Sequence, residues 1–556
     1  FFCGGTERDD VPWLVDVMVG LDRQLNHIVH NLSSYFSPNT HLTGEALALY
    51  CVSRAFPELR ESGARAALGR ELLLRESTRQ VCADGGHAER SAHYHRYSTD
   101  FYLLALLIAR RSKDPAAQRF ADVTRAHARF LRTIADDRGR LPLIGDDDGG
   151  QLFGICGGRP ADASATLAAA ASVLGDPALA VSPPSEEAYW ILGEAPAVFV
   201  TAENPSPVPS RLLESSGYLV SRTRHGDHLI MDAGAHGYLT GGHSHSDALS
   251  VVLTVAGEPV LVDPGTATYT MNAAMRDAFR STRMHNTVVI DGADHTEPRG
   301  PFGWQRFPEA RILASDVGSV VDFAQATHDG YRHAAHIRSV VALHGIGWLI
   351  ADHVCGEGDR LAESFWHLHP MWTPSVQGRC VTLSGRQTRL AMAFTAGEIS
   401  VMAEGPLAMF APEYGRIETA CTLRVAERRA APFSVGAFVA ATGRAIDAVH
   451  DDSVGLAPLP LQGDLPNGWH GAAFRIESAG IEMLILVAAS AGDPAPGPGV
   501  LWGTSAVRTD ARLAVLRRHD GSWRAVRSTG GNQVHVAADA GGPVAGDRPH
   551  VEAMQA

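Results

Sequence analysis

Lysine is almost missing from this chain: Lys113 is the only one, so arginine carries nearly all of the 48 basic side chains. Acidic residues outnumber them at 61, for a net charge of −13, which argues against a general binder of nucleic acid or of anionic membranes. No apolar run reaches the ~18 residues of a membrane span; the longest, Leu103–Ala109 and Met483–Ala489, are half that or less. Cysteine is sparse. The seven residues Cys3, Cys51, Cys82, Cys156, Cys355, Cys380 and Cys421 form no Cys-x-x-Cys pair, and an odd, dispersed set predicts a fold that does not depend on disulfides. The chain starts at Phe1 without a basic and apolar leader, as a processed or trimmed product would.

What is present is ample apolar material: 45% hydrophobic and 20% charged over 556 residues, enough for two or three globular domains. The first 190 residues read as helical. Glu45–Phe56, Arg60–Glu76, Tyr97–Ser112, Pro115–Asp136 and Ala161–Leu174 are rich in Ala, Leu and Arg, with apolar positions at 3–4 spacing and short Gly, Pro and Asp breaks. One such break runs from Gly145 to Gly150. After Pro205-Ser206-Pro207 the period becomes two, in short segments such as Ser216–Thr223, His228–Ala233, Leu249–Val255, Asn286–Ile290, Arg311–Ser315, Ser339–Leu343, Trp348–Asp352, Ser434–Ala441 and Met483–Ala489. Without long helices between the strands, the sheets are expected to be antiparallel. The expectation is an α+β multidomain chain: helical hairpins over 1–195, an antiparallel sandwich over 196–450, and strands over 451–556 that continue the sandwich or form a small second sheet. The stretch from Ala491 to Gly499 reads as a loop.

Chemistry concentrates in two places. Gly242-His243-Ser244-His245-Ser246-Asp247-Ala248-Leu249-Ser250 runs into a strand, followed by Asp263-Pro264-Gly265 and by Arg283-Met284-His285-Asn286-Thr287. Histidine nitrogen and carboxylate oxygen are good ligands for zinc. His245, Asp263 and His285, 18 and 22 residues apart, form one ligand set if three strand ends converge. A turn aspartate and a strand-capping histidine account equally well for any one of these segments; the three together favour a metal. A nucleophile elbow fits poorly, because the fifth residue is Ser and a strand follows. The second place is Asp84 to Tyr97, which holds His87, His93, His95, Tyr94 and Tyr97 beside Glu89, Arg90 and Arg96. Histidine and tyrosine exchange protons, and the arginines suit an acidic substrate; a solvated helix N-terminus is the plainer alternative. Asn39-Thr40-His41, just before a helix, is by itself an N-cap sequence.

Taken in order, Phe36-Ser-Pro-Asn39-Thr-His41-Leu, Asp84-Gly-x-x-x-Glu89-x-Ser91-x-x-Tyr94-His95, His243-x-His245-x-Asp247-Ala-Leu-Ser250, Asp263-Pro-Gly-Thr and Arg283-x-His285-Asn286-Thr resemble the heparinase II/III family of polysaccharide lyases. The match runs from about residue 30 to 300, and less clearly to Phe365-Trp366-His367-Leu368. The resemblance implies an incomplete α/α toroid joined to antiparallel sheets, with the active cleft between them. It implies Asn39 as the group that neutralises the substrate carboxylate (with His41 as the alternative register), Tyr94 as the catalytic tyrosine and His243 as the histidine working with it. His41, His93, Arg96, Glu89 and Arg283 are expected to contact substrate. His245, Asp263 and His285 match the metal ligands, with zinc favoured and manganese the alternative.

The implied reaction suits these residues. β-Elimination removes the C5 proton of a uronate and expels the 4-linked oxygen, so it needs a donor to the carboxylate, a base and an acid. The expected partner is an acidic polysaccharide: a glycosaminoglycan such as heparan sulfate, hyaluronan or chondroitin, or else alginate or a bacterial exopolysaccharide. A periplasmic or secreted location follows from such a substrate, and the oligomeric state stays open, a homodimer included. Two other classes compete: a metal-dependent hydrolase using the same ligands, and a glycan-binding protein that keeps the fold without catalysis.

Overall fold

The computed structural model describes residues 11–35, 37–181, 185–194, 208–222, 226–386, 388–441, 444–445, 454–463, 465–492 and 500–537. Phe36, Thr223, Pro205–Pro207 and most of the expected loop after Ala491 lie outside them. The chain divides into two units, one built from Phe1–Leu141, Gly149–Ser206 and Gly237–Leu239, the other from Pro142–Asp148, Pro207–His236 and Thr240–Ala556.

The first unit is helical: α1 Val11–His30, α2 Thr40–Ala55, α3 Ser62–Gln80, α4 Ala92–Arg111, α5 Ala117–Ile134, α6 Ser164–Leu174 and α7 Glu186–Leu192. Helix α2 packs on α3 and α4, and α4 on α5. Their apolar faces meet in a core that includes Leu42, Tyr50, Leu73, Phe101, Leu106 and Phe120. The α2–α3 contact is close at Gly69, where an added Cβ would stand 2.5 Å from the Ala46 carbonyl oxygen. Two helices start earlier than periodicity predicts. Asn39 caps α2 by accepting from the His41 N–H, and Ser91 caps α4 by accepting from the Tyr94 N–H, so polar segments that read as loops are first turns. Helix α1 lies outside the helices expected from periodicity. Its stripe of Leu14, Met18, Leu21, Leu25 and Ile28 is buried or half-buried, but the exposed Trp13, Val15, Val17 and Val19 lie between those positions and blur the period.

The second unit is antiparallel throughout its named sheets. Strands β1 Arg211–Leu213, β2 Tyr218–Arg222, β3 His228–Asp232, β4 Val251–Val255 and β5 Glu258–Leu261 form a meander. After helix α8 (Ala273–Phe279) come β6 Val288–Ile290, β7 Ala310–Val317, β8 Val321–His328, β9 Ala334–Leu343, β10 Gly347–Gly356 and β11 Asp359–His367. The large sheet runs Thr373–Gln377, Cys380–Ser384, Thr388–Phe394, Phe433–Ala440, β10, β9, β8, β7. Its central strands bury apolar side chains on both faces. Val340, Ala342, Trp348 and Ile350 pack toward the β1–β5 meander, whereas Val341, Leu343, Leu349 and Ala351 pack on Phe474, Ile485, Val487 and Val515 of the C-terminal sheet. Three layers result, with side chains alternating across the middle one. That C-terminal sheet orders Gly455–Pro458, His470–Ser478, Ile481–Ala489, Leu513–His519 and Ser522–Thr529. The six cysteines among the described residues are all unpaired. No helix among those residues is long and apolar enough to cross a membrane.

Asn286 shows how the strand ends are drawn together. Its Nδ2 donates to the carbonyls of Val251 (2.7 Å) and Val262 (3.0 Å), and its Oδ1 accepts from the His367 N–H (2.6 Å). One buried amide thus joins the start of β4, the exit of β5 and the end of β11.

Candidate functional site

The sheet unit carries the denser cluster. His245 lies in the loop before β4, Asp263 just after β5, and His285 ahead of β6, so the Asn286 junction brings all three within reach. Donor atoms of His245, Asp247, Asp263 and His285 lie within 4.8 Å of one another. His245 Nδ1 is 3.1 Å from His285 Nε2, which is 3.6 Å from Asp263 Oδ2. Donors bound to one ion at about 2.0–2.1 Å would stand roughly 3.3 Å apart in a tetrahedron. Asp247, part of the His-x-His-x-Asp run but given no ligand role from sequence, is a fourth candidate donor.

The proton roles around the two imidazoles sharpen this. A carboxylate and a carbonyl only accept, so His245 Nε2–H donates to Asp146 Oδ1 (3.0 Å) and His285 Nδ1–H donates to the Ser281 carbonyl (2.9 Å). In the neutral rings this leaves lone pairs on the two nitrogens that face each other. A cation held between them relieves that arrangement. A proton is a poor candidate: burial holds both histidines below their usual value, well below for His285, where His245 adds to the effect. Burial, followed by neighbouring carboxylates, pushes Asp247 and Asp263 well above the usual carboxylate range, so in the absence of a cation both resist ionisation. The donor set fits a divalent ion, with each ring oriented by a second hydrogen bond as metal-binding histidines commonly are.

Asp146 is the residue that sequence reasoning missed. Fully buried, it accepts from His243 Nδ1 (3.2 Å), His245 Nε2, Thr266 Oγ1 (3.2 Å) and both terminal nitrogens of Arg276. Burial alone would raise its pKa, but Arg276 and the two histidines hold it well below the carboxylate range. Its backbone is fixed to the sheet unit, with the Asp146 N–H donating to the His243 carbonyl and the Asp147 N–H to Thr266. The only sequence signal was the Gly145-Asp-Asp-Asp-Gly149 run, which reads as a break between helices. Arg276, also missed, lies 4.8 Å from the Tyr269 ring centre. Both histidines of the His-x-His pair donate to Asp146, but donor spacing separates them: His245 belongs to the candidate ligand group, and His243 does not. Arg283 is exposed, its guanidinium 3.4 Å from the Gly292 carbonyl.

The helical unit holds the other expected residues. Asn39 Nδ2 donates to Glu89 Oε2 (3.0 Å), and the Thr40 N–H donates to Glu89 Oε1 (3.0 Å). The buried Glu89 therefore orients the Asn39 amide, whose Oδ1 caps α2, and the second Nδ2 hydrogen remains to donate to a ligand. His41 is exposed in the first turn of α2. Tyr94 and His93 occupy the first turn of α4, both buried, with their rings edge to face at 5.4 Å. Arg96 lies inside the helical packing, 3% exposed; it donates to Gln151 and to the Pro160 carbonyl, which holds the 151–160 loop in place. His95 is structural as well, its Nε2–H donating to the His127 carbonyl (3.0 Å), and burial keeps it neutral. Tyr238, half-buried and unremarked in the sequence, belongs to this unit; burial, then Glu76, raises its hydroxyl pKa.

Comparison with known proteins decides the family. The heparinase II/III N-terminal model matches residues 9–137 and the heparinase II/III-like C-terminal model matches 205–435. The chain belongs to the heparinase II/III family. It is similar to a heparin-sulfate lyase of Pedobacter heparinus, 23% identical over 345 residues, or 60% of this chain and 47% of that one. It is also similar to a heparin-sulfate lyase of Bacteroides stercoris, 35% identical over 83 residues, or 15% of this chain and 12% of that one. The matched regions span about half the length of these relatives or less. Among solved structures, heparinase III matches with a TM-score of 0.68 at 16% identity, covering 87% of this chain and 72% of that one. Heparan sulfate lyase HepC from Pedobacter heparinus matches at 0.62 and 19%, covering 86% and 70%. Helices followed by antiparallel sheets, as expected from sequence, are the fold of this heparinase II/III member.

Proposed function

We propose that this chain is a polysaccharide lyase that cleaves 4-linked uronate chains of the glycosaminoglycan class by β-elimination. The observation that carries the reading is the position of His243, which donates to buried Asp146 while standing outside the candidate ligand group. With Nδ1 held by a buried carboxylate, His243 presents Nε2 as its proton-accepting nitrogen, outside the ligand group. The family relatives named as heparin-sulfate lyases suggest the substrate class. In the proposed reaction the Asn39 amide donates to the uronate carboxylate and stabilises the charge that builds there as C5 loses its proton. A base removes that proton, the C4–O bond breaks as the C4–C5 double bond forms, and an acid protonates the departing oxygen. Tyr94 and His243 divide these two roles. Water is not consumed.

A divalent ion on His245, Asp263 and His285, with Asp247 adjacent, would tie the loops of the sheet unit together; zinc suits the mixed nitrogen and oxygen donors. Purified protein is expected to carry about one equivalent by elemental analysis. Stripping with a chelator, or His245→Ala, is expected to lower the melting temperature by roughly 5–10 °C, the size expected when an ion that binds only the folded state is lost. Protein with no stoichiometric metal would remove the ligand assignment.

Glucuronate and iduronate present the C5 proton on opposite ring faces, which one base does not easily serve. His243→Ala is therefore expected to depress turnover on one epimer at least about ten-fold more than on the other, as loss of one proton carrier would. Equal losses accompanied by loss of metal would place His243 among the ligands instead. The function itself is tested with heparan sulfate, hyaluronan, chondroitin and alginate, monitored for the ultraviolet absorbance of an unsaturated uronate. Absorbance that grows with at least one glycosaminoglycan is the expected result. Shortened chains without absorbance would indicate a hydrolase, and unchanged chains a binder.

A further inference from the structure

Arg338, in the middle of β9, is fully buried and makes two kinds of contact. Its Nε and Nη2 donate to Asp352 Oδ1 (2.7 Å) and Oδ2 (2.9 Å), the residue paired with it across β9 and β10. Its Nη1 donates to two main-chain carbonyls, Leu249 at 2.8 Å and Asn286 at 2.5 Å. Leu249 ends the loop that starts at His243, and its φ of +62° is one that leucine rarely adopts. Asn286 directly follows His285. One guanidinium nitrogen thus ties the loop bearing His245 to the loop bearing His285.

The anchor behind Arg338 is itself braced. Asp352 Oδ1 also accepts from His336 Nε2 (2.8 Å); His336 Nδ1 accepts from His328 Nε2 (3.3 Å), and His328 Nδ1 accepts from the Gly330 N–H (3.0 Å). Together with His295 these histidines have the spacing of a ligand triad. The proton roles oppose that use: an ion on His328 Nε2 would need a ring with no proton on either nitrogen, because Nδ1 already accepts. The chain is consistent as neutral imidazoles ending on a carboxylate. A buried ion pair of this kind is weak evidence for stability. Its distinctive contribution is geometric, since a planar fork holds two carbonyls and one carboxylate in fixed directions.

We infer that Arg338 is a positioning residue for the metal ligands: through the Leu249 and Asn286 carbonyls it sets the distance between His245 and His285, and with it the affinity for the ion. This rests on the ligand assignment proposed above. The test is the metal dissociation constant, measured on the full chain by competition with a chromophoric zinc chelator. Arg338→Lys keeps a positive charge beside Asp352 but does not span both carbonyls, and is expected to raise that constant at least about ten-fold. The matched control is Arg512→Lys, another fully buried arginine of this unit, stacked 4.8 Å from the Trp469 ring centre and bonded to Gln325; its constant is expected to change less than about two-fold even where its melting temperature falls, because Trp469 and Gln325 lie outside both ligand loops. If Arg338→Lys does not fold, Asp352→Asn leaves the fork less firmly anchored and is expected to weaken binding by about 3- to 10-fold. Wild-type affinity in a folded Arg338→Lys or Asp352→Asn protein, or an equal loss in Arg512→Lys, overturns the inference while the ligand assignment stands. A wild-type chain that binds no zinc removes the ligand assignment and this inference together.

Discussion

Tyr94→Phe is expected to lower turnover on a uronate polysaccharide roughly 10²–10⁴-fold, the range for loss of a group that moves a proton in the transition state. The substitution removes one oxygen and no carbon. The ring is 4% exposed and packs edge to face on His93, and phenylalanine keeps those contacts. The main-chain N–H of residue 94 still donates to Ser91, so the cap of α4 survives. Melting temperature and KM should therefore change little while kcat falls. A variant with near-wild-type kcat would mean that the proton carrier lies elsewhere, and Tyr238 would be the next residue to change. A drop in melting temperature that parallels the drop in turnover would point to a packing role for the hydroxyl.

Asp146→Asn is expected to damage two functions at once. The carboxylate accepts from His243, His245 and Arg276, and an amide offers one acceptor oxygen in place of two. Arg276, 1% exposed, loses its counter-charge, and breaking a buried pair from one side costs about 3–5 kcal/mol. The His245 ring loses the partner that fixes its proton on Nε2, which should weaken metal binding by about 10- to 100-fold. His243 loses the same kind of orientation, for a turnover loss of roughly 10²–10⁴-fold. Saturating metal separates the two effects. Turnover that stays low when the ligand group is filled assigns Asp146 a direct part in orienting His243. Turnover fully restored by metal would show that it acts through the ligands alone.

The fold was legible wherever burial is periodic. Helices α2 to α6 and the long strands of the sheet unit alternate as their buried faces require. Helix α1 was not legible, because exposed Trp13, Val15, Val17 and Val19 interrupt the stripe that runs from Leu14 to Ile28. The starts of α2 and α4 were hidden because capping residues and first-turn histidines look like loop. For the candidate site, the His-x-His-x-Asp run, Asp263-Pro-Gly and Arg-x-His-Asn are local in sequence and could be read directly. Asp146 was not, since its partners lie 97 and 99 residues away for the histidines and 130 for Arg276. Arg338 was invisible for the same reason, its carbonyl partners lying 89 and 52 residues away.

Elimination and hydrolysis differ in whether water enters the product. Digesting heparan sulfate in water enriched with heavy oxygen and weighing the oligosaccharides by mass spectrometry tests the proposed chemistry most directly. Elimination is expected to give products lighter by one water than hydrolysis would give, ending in an unsaturated uronate and carrying no solvent oxygen. Products of full hydrolytic mass with heavy oxygen at the new end would contradict it.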